Sequence, residues 1–554
     1  MAKGAIVVGA GPVGLMLAGE LRLGGVDVVV YDKLPAPSGE SRGLGFTSRT
    51  AEVLDQRGLL DELGEFRWGR HGHFGGVRID FTLLEESHFG VMGLAQSRTE
   101  QLLGDWTARL GVPVLRGREV TGFEETEDGV VVRYDGPDGP GEDHAQYLIG
   151  CDGGRSTVRR LAGIAFPGDE ATRGMYLADV TGADIRPRPI GERVEGGGMV
   201  LSVGLGDGYD RIVIHEPGVR PHHGEGTLTF TEVADAWQRM TGESIHHGRT
   251  RWMTALTNAT GLAEQYRSGR VLLAGDAAHD HAPLGAQGVS VGLQDAVNLG
   301  WKLAATINGW APDGLLDTYH AERHPLGEQL LRNVHAQSLL YLSGEEMEPL
   351  RAVMRELVRI PDAARYLAGQ VSGLHIRYDV GAGEHPLLGL RLPPQRVLQR
   401  ADGTRVRVAE LLHEARGVLI VTGDPSTVHK TAADWSDRVD VVAGTWAEDG
   451  GPEAVLLRPD GHVVWAAPCP HPLVRRASDT WRRHRRAPCR LRHNPGPPTP
   501  QAHRRRHRPA AAEHPAGPEP PHRRTPRHRT AQGPPARQSS GPLTPPQTPG
   551  RPLS

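Results

Sequence analysis

Residues 4–32 read GAIVVGAGPVGLMLAGELRLGGVDVVVYD. Ala5 to Val8 is a short apolar strand, Gly9-Ala10-Gly11-Pro12-Val13-Gly14 a glycine turn, and the run to about Leu23 a helix. Val26 to Tyr31 is a second, mostly apolar strand that ends on the acid Asp32. Together these make the first half of a dinucleotide-binding βαβ unit. Gly9 permits the tight turn, Gly11 lets a pyrophosphate approach the backbone, Gly14 lets helix and strand close, and Asp32 is placed for a ribose hydroxyl.

A second informative stretch, RVLLAGDAAHDHAPLGAQGVSVGLQDAVNLGWKL, occupies residues 270–303. An apolar strand from Val271 to Ala274 runs into Gly275 and Asp276. A Pro/Gly-rich loop follows, then an amphipathic helix ending near Trp301 and Lys302. Such a segment is a ligand platform. Its glycines let backbone come close to a flat molecule, and the helix start offers unpaired N–H groups with about half a unit of positive charge.

At 554 residues the chain can hold two or three domains and a large core. The net charge of −3 conceals a split. From Pro468 onward there are 18 arginines against three acids (Asp479, Glu513, Glu519), so this segment carries about +15 and the body about −18. Only three cysteines occur, Cys151, Cys469 and Cys489, which excludes a disulfide framework and a CxxC redox or zinc pair and fits a reducing cytoplasm. The uncharged run from Gly4 to Gly19 is broken by Pro12 and glycines, so neither a signal peptide nor a membrane span is expected. Lysine is nearly absent while Arg, Ala and Gly abound, as a GC-rich coding sequence would give.

VVVRYD and QYLIGC, between about Asp128 and Cys151, read as a β-hairpin with a returning strand. Residues 175–235 contain further β-like runs, RIVIHEP and GTLTFTEV, which suggest a sheet-based second domain. Leu315 to Leu367 is helical in period. Gly417–Val421, Val439–Val442, Val455–Leu457 and His462–Trp465 read as strands of a small α/β unit beginning near Val397. Residues 468–554 are rich in Pro, Arg and His with few aliphatics, and are expected to be disordered. Trp481 is their only aromatic residue, so a frameshift product is preferred over a nucleic-acid-binding arm. The neighbouring frame of the coding DNA past codon 467 should then give a short amphipathic helix and a stop.

The N-terminal fingerprint, Cys151-Asp152-Gly153-Gly154-Arg155-Ser156-Thr157-Val158-Arg159, and Gly275-Asp276 with its helix resemble, in order and spacing, the class A flavoprotein monooxygenases of the para-hydroxybenzoate hydroxylase type. The resemblance covers about residues 1–390. SRGLGFTSRTAEVLDQRGLL (41–60), LAQSRTEQLL (94–103), YRSGRVLLAGDAAH (266–279) and LLRPDGHVVW (456–465) look like the aromatic polyketide oxygenases of actinomycetes, which act on angucycline- and anthracycline-like substrates.

The resemblance implies an α/β fold. A Rossmann-like, glutathione-reductase-type FAD-binding domain (1–75, 95–172 and 260–390) is joined to a β-sheet substrate domain (76–94 and 173–259) and a small thioredoxin-like C-terminal domain (397–467), without CxxC and so structural. It implies a cytoplasmic FAD enzyme that uses NADPH or NADH and O₂ to hydroxylate an aromatic polyketide through a flavin C4a-hydroperoxide. A homodimer is the candidate assembly, and neither a membrane nor nucleic acid is an expected partner. Baeyer–Villiger insertion or hydroxylation–dehydration on the same fold is the alternative, and a non-catalytic flavin-binding protein with a nucleic-acid-binding tail is the remote one. A flavin halogenase is excluded by the lack of Trp-x-Trp-x-Ile-Pro, and a disulfide reductase by the lack of CxxxxC.

The cofactor-binding residues carried over are Gly9, Gly11, Pro12, Val13, Gly14, Asp32 and Lys33 at the nucleotide end, with Arg42 and Gln96 at the phosphates and ribose. Asp152 and Gly153 match a motif linked to both FAD and NADPH. Arg159 supports that motif or simply solvates a helix face. Asp276 would meet the ribityl hydroxyls, Pro283, Gly285, Gln287 and Gly288 the isoalloxazine ring, and the helix from about Val289 its N1/C2=O edge. Ser290 stands where many relatives have Asn; it matters if a side-chain amide is needed and little if backbone N–H suffices. Catalysis requires no side chain of its own, because the cofactor does the hard chemistry. Arg377 is either a substrate-site residue or a surface salt bridge. A metal at His279 and His281 is not expected, since the neighbouring Asp276 already has the flavin role.

Overall fold

The computed structural model describes residues 3–39, 43–64, 68–84, 90–194, 197–219, 228–285, 287–381, 383–422, 432–448 and 450–467. Arg42 and the 468–554 tail lie outside the described residues. The central sheet has eight strands. Its main path runs Arg267–Ser268, Val271–Leu273, Gly139–Gly150, Lys3–Val8, Val28–Asp32 and Val114–Arg116, with a hairpin, Glu119–Glu125 and Val130–Gly136, attached to Gly139–Gly150. Lys3–Val8 pairs in parallel on both sides, with Ile6 opposite Val29 and Leu148. Buried on both faces, these strands are near-continuous Val, Ile and Leu, as a parallel sheet requires. The fingerprint helix Pro12–Leu23 and the long helix Gly288–Ile307 pack together. The three motif segments therefore meet at the carboxyl end of this sheet, the usual ligand-binding edge of such folds.

A second sheet of five antiparallel strands follows the order Arg188–Arg193, Met199–Gly204, Asp210–His215, Gly174–Thr181, Arg249–Thr257. One face is covered by a helix, Phe230–Thr241, whose Val233, Ala234, Ala236 and Trp237 pack on Val200, Ile212 and Ile214. The other face turns Met175, Leu177 and Met199 toward Ala282, Leu284, Leu330 and Val334.

GTLTFTEV was expected to be β-like, and its described part is instead the start of that helix. The Thr229 hydroxyl accepts from Glu232 N–H, and the Glu232 carboxylate accepts from Thr229 N–H. This reciprocal cap outweighs the β-branched composition. The long helix also departs from expectation. Ser290 and every residue from Gly292 to Ala305 are buried, so its polar positions do not face solvent.

The C-terminal portion builds a four-stranded sheet ordered Val439–Ala443, Gly417–Val421, Ala454–Leu457, Val463–Ala466, with the first pair parallel and the others antiparallel. It docks through Arg458, whose guanidinium meets the Glu322 carboxylate at 2.8 and 2.9 Å, and through Arg391, 2.8 Å from Glu52. Among the described residues, no helix is long and apolar enough to cross a membrane.

Candidate active site

The glycine turn is built as its spacing predicts. Gly9 has φ +105°, and a Cβ there would collide with the Cys151 carbonyl; one on Gly14 would collide with the Gly9 carbonyl. A Cβ on Gly11 would meet nothing within 4 Å. The turn thus leaves an open cradle above Gly11, at the start of a helix whose first N–H groups have no side-chain cap. Pro12 is the first residue of that helix. The Asp32 carboxylate accepts Ala10 N–H at 2.7 Å and Leu34 N–H at 2.8 Å, which fixes it beside the turn, and Lys33 is exposed.

Val13 joins the two halves of the site. It lies against both Gly275 and Gly292, where added Cβ atoms would come within 2.9 and 2.6 Å of its methyl carbon. Gly275, at φ +64°, opens a short turn from which Asp276 projects; Asp276 is exposed and its carboxylate makes no hydrogen bond among the described residues. Pro283 and Gly285 are half-buried, and Gln287 is buried at the cap of the long helix. The first N–H groups of this helix, from Gly288 on, have no side-chain cap. Ser290 is buried, and its hydroxyl accepts Thr47 N–H at 3.3 Å. A cavity of about 30 Å³ behind the helix start, lined by Thr47, Gln287, Ser290, Gln294, Gln329 and His375, has room for a water molecule.

Some expected residues serve the frame of the site. The Asp152 carboxylate accepts from Ser156 Oγ at 2.5 Å and from Thr157 and Val158 N–H at 2.6 and 3.1 Å, capping the helix Thr157–Leu161. Gly153 has φ +80°, a turn that favours glycine. Arg159 does not solvate a helix face. It is buried, stacks on Phe166, and donates to the carbonyls of Ala277 (2.8 Å) and Gly154 (2.6 Å), tying two motifs together. Gln96 accepts Gly43 N–H at 3.2 Å and donates to Glu100.

Arg377 makes no ion pair among the described residues, where a surface salt bridge was one of its two readings. In this extended segment Ile376 and Tyr378 point inward while Arg377 is exposed, and its guanidinium donates to the Leu388 and Pro386 carbonyls.

Sequence reasoning missed Asp295. Fully buried, it accepts Gly275 N–H at 3.1 Å, His279 Nε2 at 2.7 Å and Arg323 Nε at 2.6 Å. Burial would raise its carboxyl pKa, but Arg323 and His279 outweigh burial and hold it below the ordinary range. In the sequence it falls on a polar stripe with Asn298 and Lys302 that reads as a solvated face, so no signal marked it. Burial lowers the pKa of His281, against which the Ala282 carbonyl and the Asp276 charge act. Among the described residues, no group of three or more His, Cys, Asp or Glu is arranged to hold a metal ion.

A dinucleotide turn and a second uncapped helix start, joined through Val13 and flanked by the exposed acid Asp276, are the arrangement of a flavoprotein with a split FAD site. Residues 3–334 match the family described as FAD binding domain, and residues 385–483 the aromatic-ring hydroxylase C-terminal domain. The second match runs past the change of composition at residue 468.

The chain is 42% identical over 485 residues to a 12-dehydrotetracycline 5-monooxygenase/anhydrotetracycline 6-monooxygenase of Streptomyces rimosus, covering 83% of this chain and 95% of that one. It is 43% identical over 473 residues to a rifampicin monooxygenase of Streptomyces venezuelae, with the same coverage. The crystal structure of CabE, an aromatic hydroxylase from angucycline biosynthesis, superimposes with a TM-score of 0.82 at 52% identity, covering 87% of this chain and 99% of that one. The chain belongs to the FAD-dependent aromatic-ring hydroxylases and is an FAD-dependent monooxygenase. Use of NAD(P)H and O₂ is typical of that family.

Proposed function

We propose that this enzyme hydroxylates an electron-rich ring of a polycyclic aromatic polyketide. The carrying observation is the sheet face beside the Ala282–Leu284 loop. Met175 and Leu177 pack there against Ala282 and Leu284, while Leu201, Val213, Trp252 and Leu256 stay only partly buried and offer an apolar wall on which a large flat ligand can lie against the flavin edge.

When bound, FAD supplies the electron transfer and oxygen activation. The chain would hold it in place. Gly11 and the start of Pro12–Leu23 would receive the pyrophosphate, with Asp32 beside the adenosine ribose. Asp276 would accept hydrogen bonds from the ribityl hydroxyls, and the N–H groups from Gly288 to Ser290 would stabilise negative charge at the ring edge, a dipole effect of up to ~2 kcal/mol. Because the Ser290 hydroxyl accepts Thr47 N–H, that last contact would be made by backbone N–H groups.

The test is stopped-flow reduction of the FAD-loaded enzyme by NADPH in air with a panel of polyketide quinones and phenols. Substrate-stimulated flavin reduction and a product one oxygen heavier, with its ring skeleton intact, are expected. If no panel member stimulates NADPH oxidation the hydroxylase reading fails, and a broken ring would assign oxygen insertion instead. Asp276→Ala should lower FAD retention at least tenfold in a titration of apoprotein; unchanged affinity would remove Asp276 from the flavin site.

A further inference from the structure

The C-terminal domain has no redox pair and contributes nothing to the cleft described so far, yet it is joined to the flavin-edge loop through buried polar groups. Arg323 uses its whole guanidinium fork. Nε donates to Asp295 at 2.6 Å, Nη2 to the Val291 carbonyl at 3.1 Å, and Nη1 to the Tyr378 hydroxyl at 3.0 Å. The Tyr378 ring lies 4.4 Å, centroid to centroid, from the His462 ring and 5.0 Å from the Arg458 guanidinium, both on the C-terminal hairpin. His462 Nδ1–H in turn donates to the Gly389 carbonyl at 2.9 Å, the same carbonyl that accepts Tyr378 N–H at 3.0 Å. Asp295, Arg323, Tyr378 and His462 are each 7% exposed or less.

We propose that Asp295 is the positioning residue of the flavin-edge loop and that the C-terminal domain aims it, through His462, Tyr378 and Arg323. A carboxylate held by three donors cannot rotate. It therefore fixes Gly275 N–H and the His279 ring, and with them the turn that presents Asp276. The same Arg323 fork holds the first turn of the long helix through Val291. Removing the Tyr378 hydroxyl leaves one guanidinium nitrogen buried without its partner and lets the fork tilt; Arg323 holds the Asp295 oxygen that Gly275 and His279 do not, so the carboxylate turns with it and carries both of those groups along. The inference rests on FAD binding alone and is independent of the substrate proposed above.

The experiment uses the full chain, stripped of FAD and titrated with it. Tyr378→Phe deletes one oxygen and keeps the ring, so the protein should fold. Its FAD Kd should rise about threefold to tenfold, the range of one lost buried hydrogen bond. The visible absorption band and midpoint potential of the bound flavin should shift, which a loss of apoprotein stability alone would not cause. Asp295→Asn should weaken FAD binding by about tenfold or more. The double variant should be no weaker than Asp295→Asn alone, because the tyrosine acts through the aspartate. If Asp295→Asn does not fold, Arg323→Lys, which keeps the charge and loses the fork, takes its place in the cycle. Unchanged FAD affinity and potential in Tyr378→Phe, or losses that multiply in the double variant, would overturn the proposal.

Discussion

Three glycines within six residues do three different physical jobs, and substitution separates them. Gly9 and Gly14 are required by the protein itself, since added Cβ atoms would enter the carbonyl oxygens of Cys151 and Gly9. Gly11 faces open space at an ordinary negative φ, −79°. Gly9→Ala or Gly14→Ala should cost about 1–3 kcal/mol of apoprotein stability, the usual range for overpacking. Gly11→Ala should leave the apoprotein Tm unchanged and raise the FAD Kd by roughly tenfold or more, because its methyl stands where the pyrophosphate approaches. Thermal unfolding without FAD and titration with it give both readings; tight binding by Gly11→Ala would move the pyrophosphate elsewhere. Arg377→Ala, in contrast, should leave kcat/KM within twofold of the parent, since among the described residues its guanidinium serves the carbonyls of Leu388 and Pro386.

At the level of elements, capping chemistry is testable apart from the cofactor. Thr229→Ala removes the capping hydroxyl of Phe230–Thr241 and should cost about 1 kcal/mol in urea unfolding with no change in FAD affinity. The Thr-x-x-Glu spacing of that cap was visible in the chain, but the β-branched run around it pointed to a strand. What a reader of sequence sees well is periodicity bounded by glycine, which is why Lys3–Val8, Pro12–Leu23 and Val28–Asp32 lie where the fingerprint put them. Long-range pairing is not visible. In Gly288–Ile307, Asp295, Asn298 and Lys302 fall on one helical stripe and look like a solvated face. Instead they meet Arg323 and Glu322 from the next helix, where Lys302 Nζ lies 2.8 Å from both Asn298 Oδ1 and Glu322 Oε2. Asp295 went unrecognised for the same reason, and the inward turn of Tyr378 beside an outward Arg377 depends on packing that no spacing encodes.

For the whole molecule, the contact between the C-terminal hairpin and the long helices is ionic and buried, so its strength depends on pH. Burial would raise the Glu322 carboxyl, but Arg458 and Lys302 outweigh burial and hold it at about 2, against an ordinary 4.5. A carboxyl depressed in the folded state stabilises it fully above pH 4.5 and loses that contribution as pH falls toward 2. His462 acts in the same direction over a higher window. Burial lowers its imidazole from 6.5 to about 3, so the unfolded chain binds a proton that the folded chain refuses, and stability drains as pH falls below 6.5. One such proton contributes at most ~1.4 kcal/mol per pH unit. Urea unfolding of the apoprotein at a series of pH values should therefore show stability declining from pH 6.5 downward. His462→Asn keeps a donor for the Gly389 carbonyl without the titrating ring, and should flatten the curve between pH 6.5 and 4.5. Glu322→Gln leaves Lys302 buried without its ion-pair partner and Arg458 with Asp460 alone, and should already be destabilised by about 3–5 kcal/mol at pH 7, with a shallower fall below pH 4.5. A His462→Asn curve that parallels the parent throughout would place the acid-labile group elsewhere and leave the C-terminal contact insensitive to pH.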